Sequence, residues 1–347
     1  MGQGVERARL SVCIPTFNFG AFIGATLDSI TAQLSPDVEI VVLDGGSTDD
    51  TAAVVAARAA RFPRIHYCAQ GYRGGIDRDI AAAVRLSHGE YCWLFSADDI
   101  MRPGAIARVL AATATNHDVY LCEHTLTSAT LEPIGEHPPF QGIAPGTVFQ
   151  LGDPRERRRY FEHARTSEAF FSYLAGPIFR RSVWDAADGI PESFYGTCWG
   201  IAGRLLSRIQ TGLTVEYLGA SLILKRSGVD SFVERGIVHR MSITVDGFAH
   251  IADTLFGRKS PETFHIRRVT RNEAAFAFRR LVSVKLIVAD RDDPATMQDY
   301  LALLGRHFAD AGVTGTIRRL LLTWLPVRPF RWMRGLKNRL RGEVGEY

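Results

Sequence analysis

The sequence predicts an α/β fold: a doubly wound, mostly parallel sheet followed by a helical C-terminal extension. Over the first 125 residues, short β-rich runs alternate with helical patterns. Four of those runs are followed directly by polar, turn-forming sequence. Beyond residue 235 the apolar residues keep only helical spacing.

Leu10 to Ile14, Val38 to Asp44, Ile65 to Cys68, Tyr91 to Phe95 and Val119 to His124 are apolar, β-branched or aromatic runs of strand length. Between the first two, Phe22, Ile23, Leu27 and Ile30 recur at helical spacing within Gly20 to Gln33. The alanine-rich stretch Thr51 to Ala60 follows the acidic pair Asp49 and Asp50, which suits a helix start. Gly74-Gly75 precedes a third helical face made of Ile80, Ala83, Val84 and Leu86. Helices between strands imply parallel pairing, because a parallel crossover needs a connection of about a dozen residues or more. From Glu132 to Pro154 the chain is rich in Pro and Gly without a period, and a long loop at the edge of a site is expected. Ala175 to Arg180 and Val215 to Leu224 are further strand runs. Ile237, Met241, Val245, Phe248, Ile251 and Leu255, then Met297, Leu301, Leu304 and Phe308, predict helices.

Hydrophobic residues at 46% and charged residues at 22% match an ordinary folded protein and exclude a disordered chain. No apolar run reaches the 18 or so residues needed to cross a bilayer, and MGQGVERARL lacks a signal-peptide core. A cytoplasmic location is therefore expected. Cys13, Cys68, Cys92, Cys122 and Cys198 form neither a zinc spacing nor a disulfide framework, and four lie in strand runs. They are expected to be free core thiols in a reducing compartment.

In doubly wound sheets, ligands bind beyond the carboxyl ends of the strands. The sequences at those ends are Pro15-Thr16-Phe17-Asn18, Asp44-Gly45-Gly46-Ser47-Thr48-Asp49, Gln70-Gly71-Tyr72-Arg73-Gly74-Gly75 and Ser96-Ala97-Asp98-Asp99. Adjacent carboxylates at Asp98 and Asp99 repel unless a cation or donors compensate them. An oxygen-only ligand set suits Mg²⁺ or Mn²⁺ shared with substrate phosphates. The same pair also suits the cap of a helix beginning near Arg102-Pro103. After Asp44, Gly45-Gly46 lets a ligand approach the backbone, while Ser47 or Thr48 suits a helix cap whose free N–H groups favour an anion. Arg78 suits a phosphate, or an ion pair with Asp77, Asp79 or Asp98. No Gly-x-Gly-x-x-Gly follows the first strand, which argues against a dinucleotide-binding dehydrogenase.

In this order the motifs resemble the family 2 glycosyltransferases of the type A fold. The family's strand followed by Pro-x-Tyr/Phe-Asn is seen in Val12-Cys13-Ile14-Pro15-Thr16-Phe17-Asn18, and its Val-Asp-Asp-Gly-Ser-x-Asp-x-Thr in Leu43 to Thr51. Its Gly-x-x-x-Ala-x-Asn and Ala-x-Gly-Glu-Tyr stretches are similar to Gly75 to Asp79 and Leu86 to Tyr91, and its Asp-x-Asp-Asp to Ser96 to Asp99. The wording from Gly89 to Asp99, with Lys225 to Phe232, looks like the abequosyltransferase-like branch.

The resemblance implies a sugar transferred from a nucleotide-sugar donor, with Mg²⁺ or Mn²⁺, to a glycan acceptor, lipid-linked, in cell-surface polysaccharide or O-antigen assembly. It implies that Pro15, Thr16, Asn18, Asp44, Gly75, Arg78 and Asp98 bind the donor, with Asp98 and Asp99 holding the metal. It also implies a GT-A domain over 1–235, divided into a nucleotide-sugar half at 9–125 and an acceptor half at 126–235, then a helical region at 236–347. Two positions depart from the pattern: the second Asp after strand two is Gly45, and the first Asp of the metal motif is Ser96. A non-catalytic sugar-nucleotide or glycan-binding module is the alternative.

A transferase of this family needs a carboxylate to deprotonate the acceptor hydroxyl. The usual Glu-Asp pair is missing from Glu192 to Trp199, which leaves Glu192, Glu168 and Asp230 as candidate bases. Trp199 suits a sugar face, though a core position is the expectation. From residue 314 to 342, Arg318, Arg319, Arg328, Arg331, Arg334, Lys337, Arg339 and Arg341 alternate with Leu, Trp, Phe and Met and no acidic residue. That segment suits peripheral contact with an anionic membrane, at the inner face of the plasma membrane, or else a terminal helix packed on the domain. No nucleic-acid motif is present and no nucleic-acid partner is expected.

Overall fold

A computed structural model describes residues 8–187, 192–229, 235–291 and 293–326. The described residues fall into two compact units, one within Met1–Asp230 and Ile251–Ile266, the other within Ser231–His250 and Arg267–Tyr347.

The first unit is built on strands β1 (Leu10–Thr16), β2 (Val38–Asp44), β3 (Ile65–Ala69), β4 (Tyr91–Leu94), β5 (Ile100–Met101), β6 (Val119–Thr127), β7 (Pro133–His137), β8 (Thr147–Gln150), β9 (Pro177–Arg180) and β10 (Thr214–Arg226). They form one sheet in the order β3-β2-β1-β4-β9-β6-β10-β5, with β7 on β6 and β8 on β10. Six strands run one way; β5, β7, β8 and β9 run against them. Every residue of β1 and β2 is buried, because helices α1 (Gly20–Thr31), α2 (Thr51–Ala59) and α3 (Ile76–Leu86) connect the parallel strands and cover both faces. Their apolar faces are as expected, save that Leu86, at the last turn of α3, is exposed rather than buried. The core gathers Leu10, Val12, Ile14, Ile23, Leu27, Ile30, Ile40 and Val42 with Trp93, Phe95 and Tyr120. Cys13, Cys92 and Cys122 are buried, Cys68 and Cys198 half-buried, and all five are free.

The stretch expected as a loop over residues 132–154 contains β7 and β8. Both are short strands added antiparallel to β6 and β10. Four of the five residues of β7 are exposed, so no alternation of apolar side chains marks it; only the neighbouring strand specifies it. Next comes α5 (Pro154–His163), opened by Asp153, whose side chain accepts from the Arg155 N–H at 2.7 Å, with Pro154 in the first turn.

In the second unit, α10 (Phe278–Asp290), α11 (Pro294–His307) and α12 (Gly312–Trp324) pack with the first turns of α8 (Ile237–Phe256) around Val238, Met241, Val284, Tyr300, Leu304 and Leu322. Lys285 is buried, and its Nζ donates to the carbonyls of Leu322, Thr323 and Leu325 at 2.6, 2.9 and 2.9 Å. A cation at a helix C-terminus satisfies carbonyls that have no partner within the helix, and this one anchors the end of α12. No helix among the described residues is long and apolar enough to cross a membrane.

Candidate functional site

The register of the sheet brings the predicted motifs to one edge. Thr16 lies opposite Asp44, and Asp44 opposite Ala69, so three strand ends finish side by side. β4 lies on the other side of β1, making the gap between β1 and β4 the point where strand order reverses. Adjacent strands are about 4.8 Å apart, so the ends of β2 and β4 lie about 10 Å apart, roughly the span between a nucleoside and its diphosphate.

Asp44 is 2% exposed, and its carboxylate accepts from the Ser47 N–H and from the Tyr67 hydroxyl, both at 2.7 Å. Beside it, Pro15 and Thr16 are buried, and the Thr16 Oγ1 has no hydrogen-bond partner, an orphaned polar atom on the floor of the edge. Asn18 holds a left-handed φ of 57°, a conformation that Asn tolerates. Its N–H donates to Ser47 Oγ and its Oδ1 accepts from the Thr48 N–H, both at 2.8 Å, so Asn18 fastens one loop to the next. Neither Ser47 nor Thr48 caps α2. The cap position is Asp50, whose side chain makes no cap bond; Asp49 before it accepts from Thr51 N–H at 3.0 Å and from Gly20 N–H at 2.9 Å, so that one carboxylate serves the starts of both α1 and α2.

Asp98 and Asp99 do not cap α4 (Ala105–Thr113). Asp99 is 2% exposed; its Oδ2 accepts from the Tyr173 hydroxyl at 2.6 Å and its Oδ1 from the Arg226 N–H at 2.9 Å. Burial and the neighbouring Asp98 charge push its pKa up to about 7. Asp98 is half-buried, raised by burial, and accepts from Ser96 Oγ. Ser96, which stands where the motif has an acid, therefore orients the second carboxylate. Two adjacent carboxylates with one held so high are under-compensated by Tyr173, Lys225 and Arg226, and this donor set fits a hard divalent cation.

Gly75, at φ 87°, leads into α3. Arg78 is exposed on its first turn. Asp79 is buried and its pKa is raised by burial; Gln70 Nε2 donates to its Oδ1 at 3.2 Å. A Cβ on Gly45 would lie 2.9 Å from Asp79 Oδ2. The missing acid at position 45 is thus matched by a carboxylate reaching the same place from α3. Asp77, 3% exposed, accepts from the N–H groups of Gly196, Cys198 and Gly200 at 2.7, 3.0 and 2.8 Å. It ties α3 to the turn before α7 (Gly200–Ser207), although burial still raises its pKa.

Residues 11–183 match the family model described as Glycosyl transferase family 2. The chain belongs to that family. As a family 2 glycosyltransferase it depends on a nucleotide-sugar donor. It is 26% identical over 301 residues to the abequosyltransferase RfbV of Salmonella typhimurium, covering 85% of this chain and 89% of that one. Among solved structures it is similar to S. aureus TarS, with TM-score 0.61 and 16% identity over 91% of this chain and 86% of that one. It is also similar to the mannosyltransferase PcManGT of Pyrobaculum calidifontis, solved with GDP-Man and Mn²⁺, with TM-score 0.52 and 18% identity over 95% and 84%. At these identities the two structures establish a shared type A fold.

In this family 2 enzyme, Glu168 is the one of the three candidate bases whose side chain is described. Asp230 lies outside the described residues, and of Glu192 only the backbone is described, in a single helical turn at Glu192–Phe194. Glu168, half-buried in the turn Ser167–Phe170, stands beside His124 and His137. Trp199 is half-buried at the start of α7 rather than in the core, because Asp77 draws its neighbouring backbone toward α3. Local sequence offers no sign of Tyr67 or Tyr173, and marks Asp79 and Arg226 only as a partner for Arg78 and as part of a motif, not as neighbours of Gly45 and Asp99. Tyr173 meets Asp99 across 74 positions and Arg226 across 127, separations at which no local pattern exists.

Proposed function

We propose that this enzyme transfers a sugar from a nucleotide-sugar donor to a lipid-linked glycan in cell-surface polysaccharide or O-antigen assembly. The observation that carries the reading is the pairing of Asp98 and the caged Asp99 with Asp44 across the switch point of the sheet. In this reading Pro15, Thr16 and Asp44 receive the nucleoside, Gly75 and Arg78 lie on the phosphate side, and Asn18 shapes the edge by holding the loops. Asp98 and Asp99 hold Mg²⁺ or Mn²⁺, which when bound would neutralise charge on the departing diphosphate. Tyr173 and the Arg226 backbone keep Asp99 in place, and Ser96 orients Asp98. The acceptor base is sought among Glu192, Asp230 and Glu168. Similarity to an abequosyltransferase supports a deoxyhexose and an O-antigen acceptor.

The test is a thermal-shift panel with UDP, CDP, GDP and dTDP, each with and without Mn²⁺. At 100 times its Kd a ligand adds about 2.7 kcal/mol, so one nucleotide is expected to raise Tm in a metal-dependent way. Absence of a shift with all four would remove the proposed donor site.

The described part of the basic tail supports a membrane contact. On α12, Val313 and Trp324 are each 78% exposed, and Ile317, Leu320 and Leu321 are also exposed, while Leu322 and Gly315 are buried. The apolar face is thus presented outward beside Arg318 and Arg319, as in an interfacial helix. The double variant Leu321→Glu/Trp324→Glu is expected to reduce co-sedimentation with phosphatidylserine vesicles several-fold while leaving donor binding unchanged. Equal co-sedimentation would place the contact elsewhere.

A further inference from the structure

We propose that the chain holds a second divalent ion, a transition metal of the zinc class, between His124, His137 and Glu168 and apart from the Asp98–Asp99 pair. The two histidines are cross-strand partners in the antiparallel ladder of β6 and β7. Their rings stack with centroids 5.0 Å apart and planes 10° from parallel. A ring nitrogen from each and a carboxylate oxygen of Glu168 all lie within 4.8 Å of one another. Zinc bonds to nitrogen and oxygen are about 2.0–2.2 Å long, so ligand atoms around one ion sit within about 4 Å. Because an imidazole binds through a lone pair in its own plane, closing the set requires the half-buried His137 ring to turn out of the stack toward His124 and Glu168.

The second observation is an orphan. His124 is 1% exposed, and its Nε2 is buried with no hydrogen-bond partner. A buried imidazole nitrogen without a partner is costly and calls for an explanation, which a bound ion supplies. His137 and Glu168 are only half-buried, which leaves a way in for the ion. Two imidazoles and one carboxylate suit zinc-class ions, whereas the all-oxygen pair Asp98 and Asp99 suits Mg²⁺ or Mn²⁺. Lys225, whose Nζ lies 4.6 Å from the centre of the Tyr173 ring, adds positive charge nearby, and Glu168 is the ligand that offsets it. One ring, Tyr173, separates the two places: it packs on His124 at 4.4 Å and donates to Asp99. A dication on a carboxylate lowers its basicity, so an occupied site makes Glu168 a poor base and favours Glu192 or Asp230.

The test uses the full chain, stripped of metal by chelation and titrated with Co²⁺ in excess Mg²⁺, following the visible absorption of cobalt on nitrogen ligands. One equivalent is expected to bind, with His137→Gln and Glu168→Gln each weakening it about 10-fold or more, by analogy with the losses seen when metal-site partners are removed. The thermal shift with nucleotide and Mn²⁺ is expected to persist in both variants, which separates this site from the donor site. No cobalt absorption in the parent chain overturns the proposal, as does a band that survives both substitutions or disappears in Asp99→Asn. Unchanged cobalt affinity in Glu168→Gln with lost turnover would also overturn it and make Glu168 the base.

Discussion

Replacing Asp99 with Asn is expected to lower kcat by about 1,000-fold or more, since a metal at a leaving diphosphate supplies several kcal/mol of transition-state stabilisation. The variant should remain folded. Asn Oδ1 can accept the Arg226 N–H, and its amide can donate to the Tyr173 oxygen, so both contacts of Asp99 have replacements. The sign of the electrostatic change also favours folding. Asp99 ionises near pH 7 in the folded chain against 3.8 for a free carboxyl, chiefly through burial and then through Asp98. A carboxyl raised in the folded state costs stability from about pH 4 upward, and the cost grows until about pH 7. Asn removes that cost, so the metal-free variant should melt no lower than the metal-free parent at pH 8. Single-turnover rates with saturating donor, beside melting curves, test both parts; full activity in a folded Asp99→Asn would take Asp99 out of the mechanism.

Asp77→Ala is expected to destabilise the chain by about 4 kcal/mol, because three N–H groups lose a charged acceptor in a buried setting. For a chain of this size that corresponds to a Tm lower by roughly 10 °C. Asp77→Asn should retain about half of the effect, since the amide offers one oxygen and places its own N–H groups against the remaining donors. Hydrogen exchange localises the change: faster exchange at Gly196, Cys198 and Gly200 with protected strands β1 and β2 is the expected pattern. Acceptor KM should rise with donor affinity unchanged, because Asp77 shapes the turn before α7 and not the ends of β1 and β2. Protection of those three amides in a folded Asp77→Ala would show that something else holds the turn.

The fold of the first 125 residues was legible from local sequence. β1, β2 and β4 are near-continuous apolar runs and β6 opens with one at Val119–Cys122, because these stretches are buried on both faces, and α1 to α3 carry helical periodicity because one face packs on the sheet. Asp44, Asp98 and Asp99 could be picked out because strand ends collect ligands in such sheets. The Pro- and Gly-rich stretch after Glu132 misled, since exposed edge strands have no apolar face to advertise.

By itself, then, the sequence determined the alternation of strands and helices, the polar strand ends and the family, all of which are written in residues close together along the chain. Only the tertiary structure decided what those carboxylates touch. Tyr67 reaches Asp44 across 23 positions, Tyr173 and Arg226 enclose Asp99, Asp79 fills the space left by Gly45, and His124 meets His137 and Glu168. The physical reason is that secondary structure follows from periodicity within a few turns. Hydrogen bonds and charge compensation instead depend on which strands become neighbours, and that is fixed only when the whole sheet closes around its core.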